Sequence, residues 1–238
     1  MSTDWAAHNL AVQDFHGTNL SSSNRIKHVL MTAINAGDLR PGVRLKEIEL
    51  GQQLGVSRTP LREAIAGLKA ESILSISDDG KLRVRVLGYQ DVHALYQMRA
   101  HLEGLAAELT ATQASSAERF FISEIRNEEA NLIVQDTEPK ILAELNGKFH
   151  QSILLASHNL FLIEAMKRLG TMMVLLGPTA YSLAIRVKEI DVEHDAINNA
   201  IQMRNPEGAA NAAKLHLENA VKARLKIILT QDKASNFD

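Results

Sequence analysis

Residues 37–68 read GDLRPGVRLKEIELGQQLGVSRTPLREAIAGL. No other stretch constrains the fold as strongly, because it spells two helices joined by a tight turn. A short helix is expected from about Lys46 to Leu54, stopped by Gly55. Ser57 is placed to cap the next helix, and Pro60 is tolerated in its first turn because that N–H has no helical partner. Leu61, Ala64, Ile65 and Leu68 recur at helical spacing and mark its buried face. Ser57, Arg58, Thr59 and Arg62 then fall in its first turn and a half. A helix start carries the positive end of the dipole and free N–H groups, which suit phosphate. Arginine can take guanine O6 and N7 with two bonds, and a hydroxyl can bond phosphate or base. The second helix is therefore read as a DNA-recognition helix.

The flanking sequence completes the unit. Ser21 to Asn24 can cap a preceding helix whose apolar positions are Ile26, Val29, Leu30, Ala33 and Ile34. Gly37 ends it, and Pro41-Gly42 makes a turn. Beyond the recognition helix, Ile73-Leu74-Ser75-Ile76 and Leu82-Arg83-Val84-Arg85-Val86 flank Asp78-Asp79-Gly80, a hairpin signal. The second of these alternates apolar and basic residues, as a half-buried strand does. Three helices followed by a hairpin describe a winged helix-turn-helix. Gly80 and Lys81 at the hairpin tip can touch the minor groove or the backbone, with Arg83 and Arg85 behind them.

Charge supports this placement only through its distribution. The net charge is −2. Residues 23–87 hold 11 Lys/Arg against 7 Asp/Glu, whereas residues 88–238 hold 15 against 19. A basic front thus precedes an acidic back, and basic patches attract phosphates whatever the total charge. Residues 1–22 are polar, lack a sustained period and are read as a mobile extension.

Behind Gly88 everything reads as helix. Aromatics are only 4 % of the chain, and Ala, Leu and Ile dominate, a bias toward helices. Helices are predicted over about 91–111, 115–134, 138–156, 159–184, 187–203 and 206–230. Gly177-Pro178 should kink or break the fourth of these. Asn205-Pro206 fits an N-cap and first helical residue. The fold class expected is mainly α: a winged helix-turn-helix at 23–87, then an antiparallel helical bundle at 88–232. There are no cysteines, which removes disulfides and thiolate metal sites. No leader and no bilayer-length apolar run are evident, so a soluble, cytoplasmic protein is expected.

The back half carries its own chemistry. Arg99 and Glu103 lie one turn apart, as do Asn146 and His150, while His194 and His216 stand on later helices. A pair four residues apart points from one helix face, and two more helices can each add an imidazole. Three histidines with an oxygen ligand would leave positions for water or substrate. Arg99 is the natural partner of a carboxylate effector, because its fork binds two oxygens; its structural alternative is a salt bridge to Glu103.

The pattern PGxRLxExELxxxLGVSRTPxREAIxxL resembles the amino-terminal motif of the GntR family of bacterial transcription regulators, over about residues 23–87. The resemblance implies that Arg58, Thr59, Arg62 and the wing glycine Gly80 contact operator DNA. Ile48 stands where some members carry an arginine, which leaves a phosphate contact to Arg44 or Lys46. Residues 90–230 are similar to the FCD domain, the all-helical effector domain of the FadR branch, in its shorter six-helix form. Arg-x-x-x-Glu, Asn-x-x-Phe-His, His and His fall in the expected order.

The resemblance implies a divalent metal held by Asn146, His150, His194 and His216 at the centre of the bundle. The first ligand is often aspartate in that domain, and the carboxamide of Asn146 is neutral and donates more weakly. Zinc is expected first, with nickel or manganese as alternatives. The function implied is a ligand-responsive repressor, acting as a homodimer on a palindromic DNA operator and released by a small organic acid. Two other readings stand beside it. One is a metal-dependent hydrolase or lyase using the histidines, which no HExxH motif or nucleophile elbow supports. The other is a regulator with no bound metal, its histidines part of the core.

Overall fold

The computed structural model describes residues 20–176 and 184–235. These divide into two compact units: residues 20–87 with 168–176, and residues 88–167 with 184–235.

The first unit begins with α1 (Ser22–Ala36), whose cap is Ser21: its Oγ accepts from the Asn24 N–H at 3.3 Å. Ile26, Val29, Leu30, Ala33 and Ile34 are all buried, as their spacing requires. Next come α2 (Glu47–Leu54) and α3 (Arg58–Ala70). Gly55 joins them at φ 63°, a left-handed conformation that costs glycine little and lets its N–H bond back to α2. Leu61, Ala64, Ile65 and Leu68 face inward from α3. Ser57 holds the N-cap position with extended backbone, but its side chain makes no capping bond. Pro60, the third helical residue, has no N–H for a cap oxygen, which leaves the Thr59 N–H as the one capping donor of the usual pair. The Ser57 hydroxyl is thus not used as the expected cap.

Strand β1 (Leu74–Ile76) pairs antiparallel with β2 (Leu82–Val84), Ser75 opposite Arg83. The hairpin tip turns through Gly80 at φ 73°, with the Gly80 N–H donating to Ser77 O at 2.8 Å. The strand expected over 82–86 is shorter than predicted and ends at Val84, although the Arg85 N–H still donates to Ile73 O at 2.9 Å in the same register. The other edge of β2 is also covered. Val84 N bonds Val43 O at 3.0 Å, and Leu45 N bonds Leu82 O at 2.9 Å. The segment before α2, read as loop from its Pro-Gly start, therefore ties the wing to the helices.

The regular structure of the second unit's described residues is all helix: α4 (Tyr89–Gln113), α5 (Ser116–Val134), α6 (Pro139–Ala156), α8 (Ala184–Gln202) and α9 (Pro206–Ser235), with the first part of α7 (Leu160–Met173), whose residues from Arg168 belong to the first unit. The helix predicted over 159–184 instead ends at Met173 and tightens into a 3₁₀ turn at Val174–Leu176, a common way for a helix to finish. Gly177-Pro178 lie outside the described residues. Asn205 caps α9 as expected, its Oδ1 accepting from the Gly208 N–H at 2.9 Å.

α4 and α9 share the most extensive helix contact, and small residues make it possible. A Cβ added at Gly104 would stand 2.9 Å from Lys214 Cε. Ala107, Ala111, Ile122, Phe149, Ile153, Ile197, Ile201 and Ala213 form one continuous core. Each large member contributes about 1.5–3 kcal/mol by leaving water. Among the described residues no helix is long and apolar enough to cross a membrane.

Candidate nucleic-acid interface and candidate metal centre

In the first unit α2, α3 and the hairpin border one surface groove of about 670 Å³. Arg44, Arg58, Arg62, Gly80 and Lys81 all line it, together with Lys46. Thus five of the seven residues singled out for DNA contact meet around one concavity. Ser57 and Thr59 are exposed beside it, at the start of α3. Ile48 is also on the groove and 66 % exposed, an apolar side chain among cations.

Acidic partners hold several of these cations. Arg62 Nε donates to Glu47 Oε2 at 3.0 Å, and Lys46 Nζ lies 2.6 Å from Glu49 Oε1. In the wing, Asp79 lies 2.6 Å from Lys81 Nζ and 3.2 Å from Arg83 Nη2. Lys81 and Ser77 beside Asp79 hold its carboxyl well below the usual carboxylate range. Arg83 also donates to Gly42 O and Ser77 Oγ, both at 3.0 Å, so it braces the hairpin. Sequence reading missed Glu47 and Asp79 as partners. Asp79 could have been suspected, since it stands in the turn, just before Lys81 and Arg83 in the chain.

In the second unit His150 from α6, His194 from α8 and His216 from α9 meet. One ring nitrogen from each lies within 4.8 Å of the others. Ring centroids are 5.1 Å apart for His150–His194, 5.0 Å for His150–His216 and 4.7 Å for His194–His216. Phe149 stacks on His194 at 4.6 Å and walls off that side. Asn146 is half-buried one turn before His150 on α6.

Every ring turns Nδ1 toward a carboxylate. His194 Nδ1 is 2.7 Å from Glu129 Oε2, His216 Nδ1 is 2.7 Å from Glu193 Oε2, and His150 Nδ1 is 3.0 Å from Glu103 Oε2. Nε2 is then the nitrogen left for the centre. Nε2 of His150 and of His194 are buried without a hydrogen-bond partner. Burial pushes His194 well below the ordinary histidine value, and burial likewise takes His216 down to about 3 despite its Glu193 bond. Both rings are therefore neutral at pH 7, the form that donates a lone pair to a metal. Burial alone would raise the Glu103 carboxyl, but Arg99 and His150 outweigh it and hold it well below the carboxylate range.

Partnerless buried imidazole nitrogens facing one centre are what a divalent cation satisfies, so the donor set fits a metal. Arg99 is paired with Glu103 at 2.7 Å, and its guanidinium lies 5.1 Å from the Tyr96 ring centroid. The structural salt bridge weighed for it is thus present, and places it one residue behind His150.

Comparison with known proteins agrees with both units. Residues 22–84 match the family "Bacterial regulatory proteins, gntR family", and residues 94–219 match the "FCD domain". The chain is 30 % identical over 210 residues to the Glc operon transcriptional activator of Escherichia coli (strain K12), covering 78 % of this chain and 82 % of the relative. It is 27 % identical over 202 residues to a probable D-xylose utilization operon transcriptional repressor of Paenarthrobacter nicotinovorans, covering 84 % and 87 %. The solved structure of E. coli McbR/YncC is similar in fold, with a TM-score of 0.68 at 21 % identity, covering 89 % of this chain and 99 % of the other. The first two are named as regulators of transcription. The chain belongs to the gntR family of bacterial transcription regulators and carries the helical FCD domain of its FadR-like branch.

Proposed function

We propose that this regulator is a metal-containing repressor of the cytoplasm, released from DNA by a small carboxylate. Residues 23–87 form the DNA-binding domain after an extension at 1–22, and residues 88–232 form the sensing and dimerisation domain. Two copies pair as a homodimer, and each lays α3 in the major groove of one half of a palindromic operator. Arg58, Thr59 and Arg62 reach base edges and phosphates, Ser57 and Arg44 add phosphate contacts, and Gly80 and Lys81 bring the wing to the backbone.

Asn146, His150, His194 and His216 hold the ion, with zinc favoured and nickel or manganese compatible with the same donors. When bound, such an ion supplies a positive centre for an anionic oxygen. Arg99, whose side chain is 15 % exposed, is assigned to the effector's carboxylate. An effector that turns a mostly bound population into a mostly free one must discriminate by about 5 kcal/mol between the two states.

The observation that carries this reading is the pair of buried, partnerless Nε2 atoms on His150 and His194. The test uses the purified full chain. Metal content is measured, small carboxylates are screened by thermal shift with and without zinc, and each hit is added to a complex with operator DNA. A carboxylate that stabilises only the zinc-loaded protein and releases DNA supports the proposal. Zinc that neither binds nor stabilises the protein rejects the metal centre.

A further inference from the structure

Each histidine of the cluster stands beside a glutamate that is itself paired with an arginine. Arg99 reaches Glu103 at 2.7 Å, and Glu103 Oε2 lies 3.0 Å from His150 Nδ1 but makes no hydrogen bond. Arg126 reaches Glu129 at 3.4 Å, and Glu129 faces His194. Arg186 grips both oxygens of Glu193, at 2.7 and 2.6 Å, and Glu193 faces His216. The same order, arginine then carboxylate then imidazole, is thus built three times from different helices. Glu103 lies on α4, Glu129 on α5 and Glu193 on α8.

We propose that Glu129 and Glu193 are positioning residues that fix His194 and His216 as the Nδ1–H tautomer and aim Nε2 of each at the common centre. The inference rests on reading the cluster as a metal site, and concerns residues outside the ligand set. A neutral imidazole carries one proton on either nitrogen, and the partner of one nitrogen decides the state of the other. A carboxylate can only accept, so it draws the proton to Nδ1 and leaves the Nε2 lone pair unprotonated. Metal-bound histidines are commonly oriented in this way.

The arginines keep this arrangement in place. Glu129 is fully buried and Glu193 is 11 % exposed in its side chain, so each needs a fixed countercharge. Arg186, 1 % exposed, gives Glu193 a two-bond clamp, and Asn219 Nδ2 adds a third bond at 2.8 Å. Arg126, 2 % exposed, is itself held by Asp195 Oδ1 at 2.9 Å and by the carboxylate of Asp191. Each glutamate thereby has little freedom to rotate away from its histidine. Each carboxylate that orients a ring thus has an arginine against it, with Arg126 shared with Asp191 and Asp195 and Arg186 shared with Glu189.

The test labels histidine ring nitrogens with ¹⁵N in the full chain and compares wild type with Glu129→Gln and Glu193→Gln. A glutamine keeps the shape but can donate as well as accept, so it no longer enforces one tautomer. In metal-free wild type His194 and His216 should give the Nδ1–H pattern. Glu129→Gln should change the signals of His194 and leave His216 as it was, and Glu193→Gln should do the reverse. Zn²⁺ affinity, read by competition with a chelating dye, should fall about 10- to 100-fold in each variant. Should Glu129→Gln fail to fold, Glu193→Gln carries the same measurement. An Nε2–H pattern in wild type, or variants with unchanged tautomers and zinc affinity, overturns the proposal. Wild type that binds no Zn²⁺ overturns instead the metal reading on which it rests.

Discussion

Arg62 donates from Nε to Glu47 Oε2 at 3.0 Å, across the turn that joins α2 to α3. A recognition-helix cation is thus already paired with an acid on the neighbouring helix. Both side chains are exposed, at 70 % and 45 %, so the pair is worth at most about 0.2–1 kcal/mol to the fold. Its larger consequence is for DNA, since Glu47 both occupies Arg62 and repels phosphate. Glu47→Gln should tighten binding to operator duplex about two- to fivefold at low salt. Fluorescence anisotropy at several salt concentrations measures this. The gain should shrink as salt rises, because screening weakens both effects. Unchanged affinity at low salt would remove Glu47 from the interface.

Arg58 is exposed on the same groove, at the first position of α3, and forms no salt bridge among the described residues. Its full fork is available for a base edge. Arg58→Ala should therefore weaken specific operator binding by about 1–3 kcal/mol, while affinity for unrelated duplex changes less. Lys81→Ala should instead weaken both to similar extents and lower the salt slope by about one. Equal losses on both duplexes for Arg58→Ala would make it a backbone contact and not a reader of sequence.

Much of this architecture was legible because it is local. The apolar spacing of Ile26, Val29, Leu30, Ala33 and Ile34 specifies the buried face of α1, and Asn205-Pro206 specifies where α9 begins. The motif around Ser57–Arg62 and the order of Asn146, His150, His194 and His216 located both candidate sites through resemblance. What escaped is non-local. Glu129 and His194 are 65 positions apart, and only the packing of α5 on α8 brings them to 2.7 Å. Val43–Leu45 has no strand pattern of its own and is ordered by bonding to β2. Ser57 occupies the N-cap position but makes no capping bond, and Pro60 removes one of the two N–H groups that could have donated to it.

Asn146 is the one assigned metal ligand that is neither imidazole nor carboxylate. Glu103, Glu129 and Glu193 are each countered by an arginine, so an ion in this cluster meets only neutral donors and keeps both its charges. Asn146→Asp would add one negative charge at a ligand position. Zn²⁺ affinity should rise about tenfold, equivalent to about 1.4 kcal/mol. Affinity for an anionic effector should fall in the same variant, because the centre then carries one positive charge less. Dye competition reads the first change and calorimetry with a carboxylate reads the second. Weaker zinc binding in Asn146→Asp would place Asn146 outside the ligand set.

The metal-free protein should lose stability on mild acidification, and the onset identifies the histidines. His194 is held well below its ordinary value of 6.5, and His216 lies at about 3. Above pH 6.5 both are neutral whether folded or unfolded, and their contribution to stability is complete. Below that the unfolded chain takes up protons that the folded one refuses, so stability falls as pH falls. The slope is about 1.4 kcal/mol per pH unit for each histidine. Glu193, at about 2 when folded against 4.5 when unfolded, adds its own loss only below pH 4.5. Melting temperature in the presence of a chelator should hence be level above pH 7 and drop between pH 6.5 and 5. His216→Gln should make that drop shallower without moving its onset. A melting temperature that stays level down to pH 5 would mean that the rings are not held neutral inside the bundle.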